Sequence, residues 1–131
     1  MIVVDTHALV WWLGQSSELS PRAKRTLAGG AEPGRVVASA ISIFEIATLV
    51  RRGRLQLGVA IDQWLNAMRA LPELRIEPVS DEIAQRAGSL APPMHGDPAD
   101  RVIAATAICL DARLVTADER LRAFPGVVTV W

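Results

Sequence analysis

The sequence predicts an α/β protein built on a parallel sheet with helices on both faces. Strand-like and helix-like stretches alternate along the whole chain, the pattern of successive βαβ units. The strand candidates are short, apolar and rich in β-branched residues, with no apolar–polar alternation, as expected of strands buried on both faces. Four acids, Asp5, Glu45, Asp100 and Asp118, fall just after strand candidates or early in apolar helices. Ligands in sheets of this kind bind beyond the carboxyl ends of the strands.

The first strand candidate is residues 1–4, Met-Ile-Val-Val, followed by an apolar helical stretch at 6–13. Ser20-Pro21 reads as an N-cap followed by a proline in the first helical turn. It opens a helix that ends at Gly29-Gly30. Val36-Val37 marks a second strand at 35–38. Residues 41–52 read as a helix stopped by Gly53, and 60–71 as another stopped by Pro72. A third strand is expected at 74–79, then a helix at 80–90 broken by Pro92-Pro93. Residues 98–110 form a strongly apolar helix, 113–116 a fourth strand, 118–124 a short helix and 127–130 a fifth strand. No internal repeat or linker interrupts the series, and 131 residues fit one domain spanning 1–131.

Half of the residues are apolar, which argues against disorder. Acidic and basic side chains balance, 14 against 14, so no global basic field marks a protein that coats a nucleic-acid backbone. An enzyme that holds phosphates through cations and a few arginines remains compatible with that balance. The single Cys109 sits in an apolar run, which excludes an internal disulfide and a cysteine-based zinc site. The first apolar run is cut by Asp5 and carries no basic side chain, so it reads poorly as a signal peptide. The charge-free apolar stretches are too short to span a bilayer. A cytoplasmic protein is expected.

Each acid on its own has an ordinary structural reading. Asp5 suits the N-cap of the first helix. Ser42-x-x-Glu45 and Thr116-x-x-Glu119 fit capping boxes. Asp97-Pro98 fits an N-cap followed by proline, with Asp100 favoured by the helix N-terminus. Glu45 strains that account, because its helical neighbours are Ile41 and Leu49 at four residues and Ser42 and Thr48 at three. A carboxylate on so apolar a face needs a partner. Collected acids repel and resist ionising, and divalent cations with a preference for hard oxygen, Mg²⁺ or Mn²⁺, relieve that repulsion. Metal-dependent chemistry on a phosphate ester follows. Helix N-termini lower the cost of gathering acids, so caps and a metal site are compatible readings of the same residues.

The order and spacing of these segments resemble the PIN domain, specifically the VapC-type toxins of bacterial toxin–antitoxin pairs. The matching segments are Val4-Asp5-Thr6-His7 with Trp11-Trp12, Ser39-x-x-Ser42-x-x-Glu45-Ile46-Ala47, and Gly53-Arg54-Leu55. Further along come His95-Gly96-Asp97-Pro98-Ala99-Asp100-Arg101-x-Ile103-Ala104, and Val115-Thr116-Ala117-Asp118. The Asp-Pro-x-Asp-Arg segment is the most specific piece, and the resemblance runs from end to end. It implies a three-layer α/β/α sandwich with a central parallel sheet of about five strands. It also implies a ribonuclease dependent on Mg²⁺ or Mn²⁺, with Asp5, Glu45, Asp100 and Asp118 at the metal and Thr6, Asp97 and Thr116 supporting them. A water activated at the carboxylate-bound metal would attack the phosphodiester, oriented by Asp118 or Asp97. An RNA substrate, a homodimer and a cognate antitoxin are implied as well. Members of this subgroup often carry a lysine shortly after the glutamate, where this chain has Ala47-Thr48-Leu49.

Other residues have plainer readings. His7 and His95 adjoin predicted acids, but Mg²⁺ prefers oxygen, which suits supporting or structural roles. Trp11, Trp12 and Trp64 are read as core or partner interface ahead of base stacking. Trp11 and Trp12 point about 100° apart on a helix, and a small domain cannot easily hide both. Arg51, Arg52 and Arg54 are expected on a solvated surface, and Arg101 beside Asp97 or Glu45. A receiver domain would need a late lysine, and the only lysine is Lys24. A haloacid-dehalogenase-type phosphatase would need an acid where His7 stands. A PIN-type nuclease with a housekeeping RNA or DNA substrate, and a non-catalytic binding module, remain as alternatives.

Overall fold

A computed structural model describes all of residues 1–131. The elements run β1 (Ile2–Val4), α1 (Thr6–Leu13), α2 (Pro21–Leu27), β2 (Val36–Ser39), α3 (Ala40–Arg51) and α4 (Ile61–Arg69). There follow β3 (Leu74–Glu77), α5 (Asp81–Ser89), α6 (Pro98–Cys109), β4 (Arg113–Val115), α7 (Glu119–Ala123) and β5 (Thr129–Val130). Every expected strand and helix is present, most with ends within one or two residues of the sequence reading. The five strands pair in parallel in the order β3-β2-β1-β4-β5.

The side-chain period of two sorts β1 between two cores. Ile2 and Val4 join Val36, Ala38, Leu9, Leu27, Ile46 and Met68 on one face. Val3 joins Val37, Leu114, Ile103 and Leu121 on the other. Both faces are covered, so the architecture is the expected three-layer α/β/α sandwich. Helix α5 adds a small outer cluster, with Ile83 and Ala87 against Ala105 of α6.

The local signals act as their chemistry dictates. Ser20 caps α2 by accepting from the Ala23 amide, with Pro21 beginning the helix. α3 stops where Gly53 turns to a φ of +70°, a region that glycine enters without a Cβ clash. No helix is long and apolar enough to cross a membrane.

Two capping expectations are corrected. Ser39, not Ser42, caps α3 through the Ile41 amide, which places Glu45 in the second turn. Asp118 itself caps α7, accepting from the Arg120 and Leu121 amides, so Thr116 heads no capping box.

Candidate active site at the carboxyl edge of the sheet

The chain leaves β1 toward β2 and β3 on one side and reaches β4 and β5 on the other, so the connections diverge between β1 and β4. Such a switch point opens a crevice past the carboxyl ends of the strands. A cavity of about 390 Å³ lies there, lined by Asp5, Thr6, His7, Trp11, Glu45, Asp97, Asp100, Ala117, Asp118 and Arg120. All four principal acids from the sequence reading line it, together with Thr6 and Asp97.

Each acid is held by a different element. Asp5, one residue beyond β1, is buried. Its Oδ1 accepts from the Ala8 amide at 2.8 Å, the N-cap role expected of it. Its Oδ2 accepts from the buried Thr116 hydroxyl just past β4, a bond that ties the two central strands together at the site. The Thr6 hydroxyl donates to Glu45 Oε1 at 2.5 Å and stands 2.9 Å from the buried Ser42 hydroxyl. Glu45 therefore reaches across to α1 rather than back to its own helix. Asp97 caps α6 by accepting from the Asp100 amide at 3.0 Å. Asp100 Oδ2 lies 2.8 Å from His95 Nε2, while the imidazole Nδ1 is buried without a partner. Asp118 Oδ2 and Asp100 Oδ2 lie 3.4 and 3.7 Å from Arg120 Nη2.

Burial is the chief cause of a raised pKa at Asp5, Glu45 and Asp100. At Asp5 the Thr116 and Ala8 hydrogen bonds pull back, and the Asp100 charge adds to the rise. At Glu45 the Thr6 hydroxyl opposes burial, while Asp100 and Asp97 reinforce it. At Asp100 the His95 hydrogen bond opposes burial, with Asp97 and Asp118 reinforcing it. Asp118 moves the other way. Burial pushes it up, but the Leu121 amide and the hydrogen bonds and charge of Arg120 outweigh that and hold it below the usual range.

These directions set a pH response. A carboxyl whose folded pKa is raised favours the fold when protonated, and that contribution is lost as pH rises through the folded value. Without divalent cations, the melting temperature is expected to rise on acidification from neutrality to about pH 5, just above the ordinary carboxylate range. Asp118 opposes this only at lower pH. Circular dichroism melts in chelator at the two pH values check it; a fall on acidification shows that the three raised acids do not govern metal-free stability.

The donors are hard carboxylate oxygens, suited to Mg²⁺ or Mn²⁺ rather than a soft metal, and the raised pKa values mark negative charge in want of a counter-charge. No group of three or more His, Cys, Asp or Glu side chains is already disposed as a coordination shell. The acids share the cavity but stand engaged with Thr6, Thr116, His95 and Arg120.

Several surrounding expectations are settled or corrected. Arg101 meets neither Asp97 nor Glu45. It donates from Nε to the Ala87 carbonyl at 2.8 Å, from Nη2 to Leu90 at 2.7 Å and from Nη1 to His95 at 3.1 Å, with Gly88 and Met94 slightly farther. It thereby fastens the end of α5 and the loop carrying His95. Trp11 and Trp12 are both partly buried against the larger core and neither is fully hidden. Trp11 lines the cavity, its ring 5.7 Å from His7 and 5.8 Å from Trp131. Arg51, Arg52 and Arg54 are exposed, as expected. Arg120 was not singled out from sequence; its place two residues past a capping aspartate was the available signal.

An acid-lined crevice at the switch point of a parallel α/β/α sandwich defines a class of proteins with clustered carboxylates at the carboxyl edge of the sheet. The sequence places this member more narrowly: residues 2–127 match the PIN domain, and the chain belongs to that family. It is 36% identical to ribonuclease VapC22 of Mycobacterium tuberculosis over 132 residues, 99% of this chain and 98% of that protein. Among solved structures, its fold is similar to VapBC2 of Rickettsia felis bound to a promoter DNA fragment. There the TM-score is 0.70 at 20% identity, over 99% of this chain and 98% of that one. A toxin–antitoxin complex from Klebsiella pneumoniae gives 0.68 at 24%, over 98% and 97%. VapC20 of Mycobacterium tuberculosis, described as a sarcin–ricin loop cleaving toxin, gives 0.67 at 20%, over 94% of each chain.

Proposed function

We propose that the chain, as a single domain over residues 1–131, is a divalent-cation-dependent endoribonuclease and the toxin of a toxin–antitoxin pair. The observation that carries this is the meeting of Asp5, Glu45, Asp100 and Asp118 on one cavity in a chain 36% identical to a VapC ribonuclease. Asp5, Glu45, Asp100 and Asp118 would hold Mg²⁺ or Mn²⁺. Such an ion, when bound, stabilises charge on the phosphate and makes water a better nucleophile near neutral pH.

The chain's own residues do the rest. Thr116 and the Ala8 amide fix both oxygens of Asp5, Thr6 fixes Glu45, and His95 fixes Asp100. Groups already oriented cost no reorganisation during reaction. Asp118, kept ionised by its environment, or the exposed Asp97, accepts a hydrogen bond from the attacking water. No side chain need form a covalent intermediate. The chain would act on RNA as a cytoplasmic homodimer, and an antitoxin partner is supported by the toxin–antitoxin complex among the structures its fold resembles. The antitoxin's role would be to bring a basic side chain to the acids.

The purified protein is expected to cleave RNA with Mg²⁺ or Mn²⁺, to leave DNA intact, and to stop in chelator. Expression alone should arrest growth, and expression of Asp5→Asn should not. Cleavage that persists in chelator sinks the mechanism. Preference for DNA, or harmless expression of the active enzyme, removes the toxin reading and leaves a PIN-type nuclease.

A further inference from the structure

Five carboxylates and a single arginine line the cavity. Nη2 of that arginine, Arg120, spans Asp118 Oδ2 at 3.4 Å and Asp100 Oδ2 at 3.7 Å. A guanidinium committed to one carboxylate forms two parallel, shorter bonds. Here one nitrogen is shared between two acids at long range, and the side chain is 62% exposed. Asp100 Oδ2 is moreover already engaged by His95 at 2.8 Å. Arg101 shows the contrast, with Nε and both Nη atoms bound to carbonyls. Arg120 is a loose counter-ion, held at the rim because it lies two residues past Asp118, the cap of α7.

We infer that Arg120 is the phosphate-binding residue of this cavity, bridging Asp118 and Asp100 while no cation is bound and turning to the substrate strand when a divalent cation takes those acids. The inference rests on the nuclease reading above. The cation and the guanidinium need the same oxygens, and two positive charges side by side repel, so a divalent ion displaces the weaker contact. The displaced guanidinium stays beside the reacting phosphate, and its planar fork matches phosphate oxygens. No other arginine or lysine lines the cavity to do this.

The test compares wild type, Arg120→Met and Arg120→Lys, all checked for folding by circular dichroism. Mn²⁺ binding is measured by calorimetry, and binding of a phosphorothioate-linked single-stranded RNA is followed in Mn²⁺ across salt concentrations. Arg120→Met is expected to bind Mn²⁺ more tightly, by roughly fivefold, the scale of an exposed ion pair. Its slope of log affinity against log salt should fall by about 0.7, the loss of one phosphate contact on a single strand. Arg120→Lys should keep most of the slope. Unchanged or weaker Mn²⁺ binding in Arg120→Met overturns the exchange, and an unchanged salt slope overturns the phosphate contact. A wild type that binds no Mn²⁺ overturns the nuclease reading itself, and is thereby told apart from a failure of Arg120's role.

Discussion

Asp100→Asn is expected to lower cation-dependent RNA cleavage by at least about a hundredfold, the scale of losing one key electrostatic group, with the fold intact. The cap of α6 depends on the Asp97 carboxylate and the Asp100 backbone amide, neither of which the substitution removes. The new amide oxygen can still accept from His95 Nε2. What is lost is a negative charge that burial and its acidic neighbours already make costly. The metal-free variant should therefore melt higher than wild type, and added Mn²⁺ should stabilise wild type more than the variant. Asp5→Asn should lose activity alike and keep the cap of α1 through its amide oxygen, but its amide nitrogen cannot accept from the Thr116 hydroxyl, so its gain in metal-free melting temperature should be smaller. If Asp100→Asn is inactive and also melts lower, the acid is a structural element and the metal assignment loses its support.

Arg101→Ala is expected to cost about 3 kcal/mol of stability, in line with removing hydrogen bonds from a charged donor to several partly buried acceptors. The last carbonyls of a helix have no partner within it. For α5 the guanidinium supplies one, reaching Ala87, Gly88 and Leu90, and it continues to Met94 and His95. Arg101→Lys should recover little, since an ammonium cannot present a planar fork to carbonyls lying in different directions. Urea denaturation reads the loss. Cleavage measured well below the melting temperature should also fall, because the same loop presents His95 to Asp100. A stability change under about 0.5 kcal/mol, the range of ordinary surface substitutions, shows that the clamp carries no weight.

Much of this was legible in the sequence, and what was not has a common cause. Strands declared themselves through β-branched runs, and helix starts through Ser20-Pro21 and Asp97-Pro98, because these signals act over a few residues. The acids were legible from their positions after strands and on apolar helices. The capping box open to Glu45 from sequence does not form, because Ser39 and Ser42 offer rival caps three residues apart. The choice falls to Ser39 where β2 ends, paired against β3. Thr116, read both as a residue supporting the acids and as the head of a capping box, places its hydroxyl on Asp5, and Arg101 was misplaced because its partners are carbonyls, which no side-chain pattern announces. Arg120 escaped notice because an exposed arginine after an aspartate is commonplace until the fold sets it beside Asp100.

The Thr116–Asp5 bond closes a loop of 111 residues, and β1 gains β4 as a neighbour only across a similar span. Until β4 is in place, β1 is the open rim of a β1-β2-β3 sheet, and open rims invite pairing with other chains. Loop closure over such a distance must precede the contacts that reward it, which makes late pairings slow. Asp5 thus follows the first strand of the chain, while its partner Thr116 lies 111 residues further on. A folding intermediate holding only β1, β2 and β3 would keep Asp5 and Glu45 without Asp100 or Asp118, and would have no complete acidic cleft. In this topology the cleft that gathers Asp5, Glu45, Asp100 and Asp118 exists only when both halves of the sheet are joined.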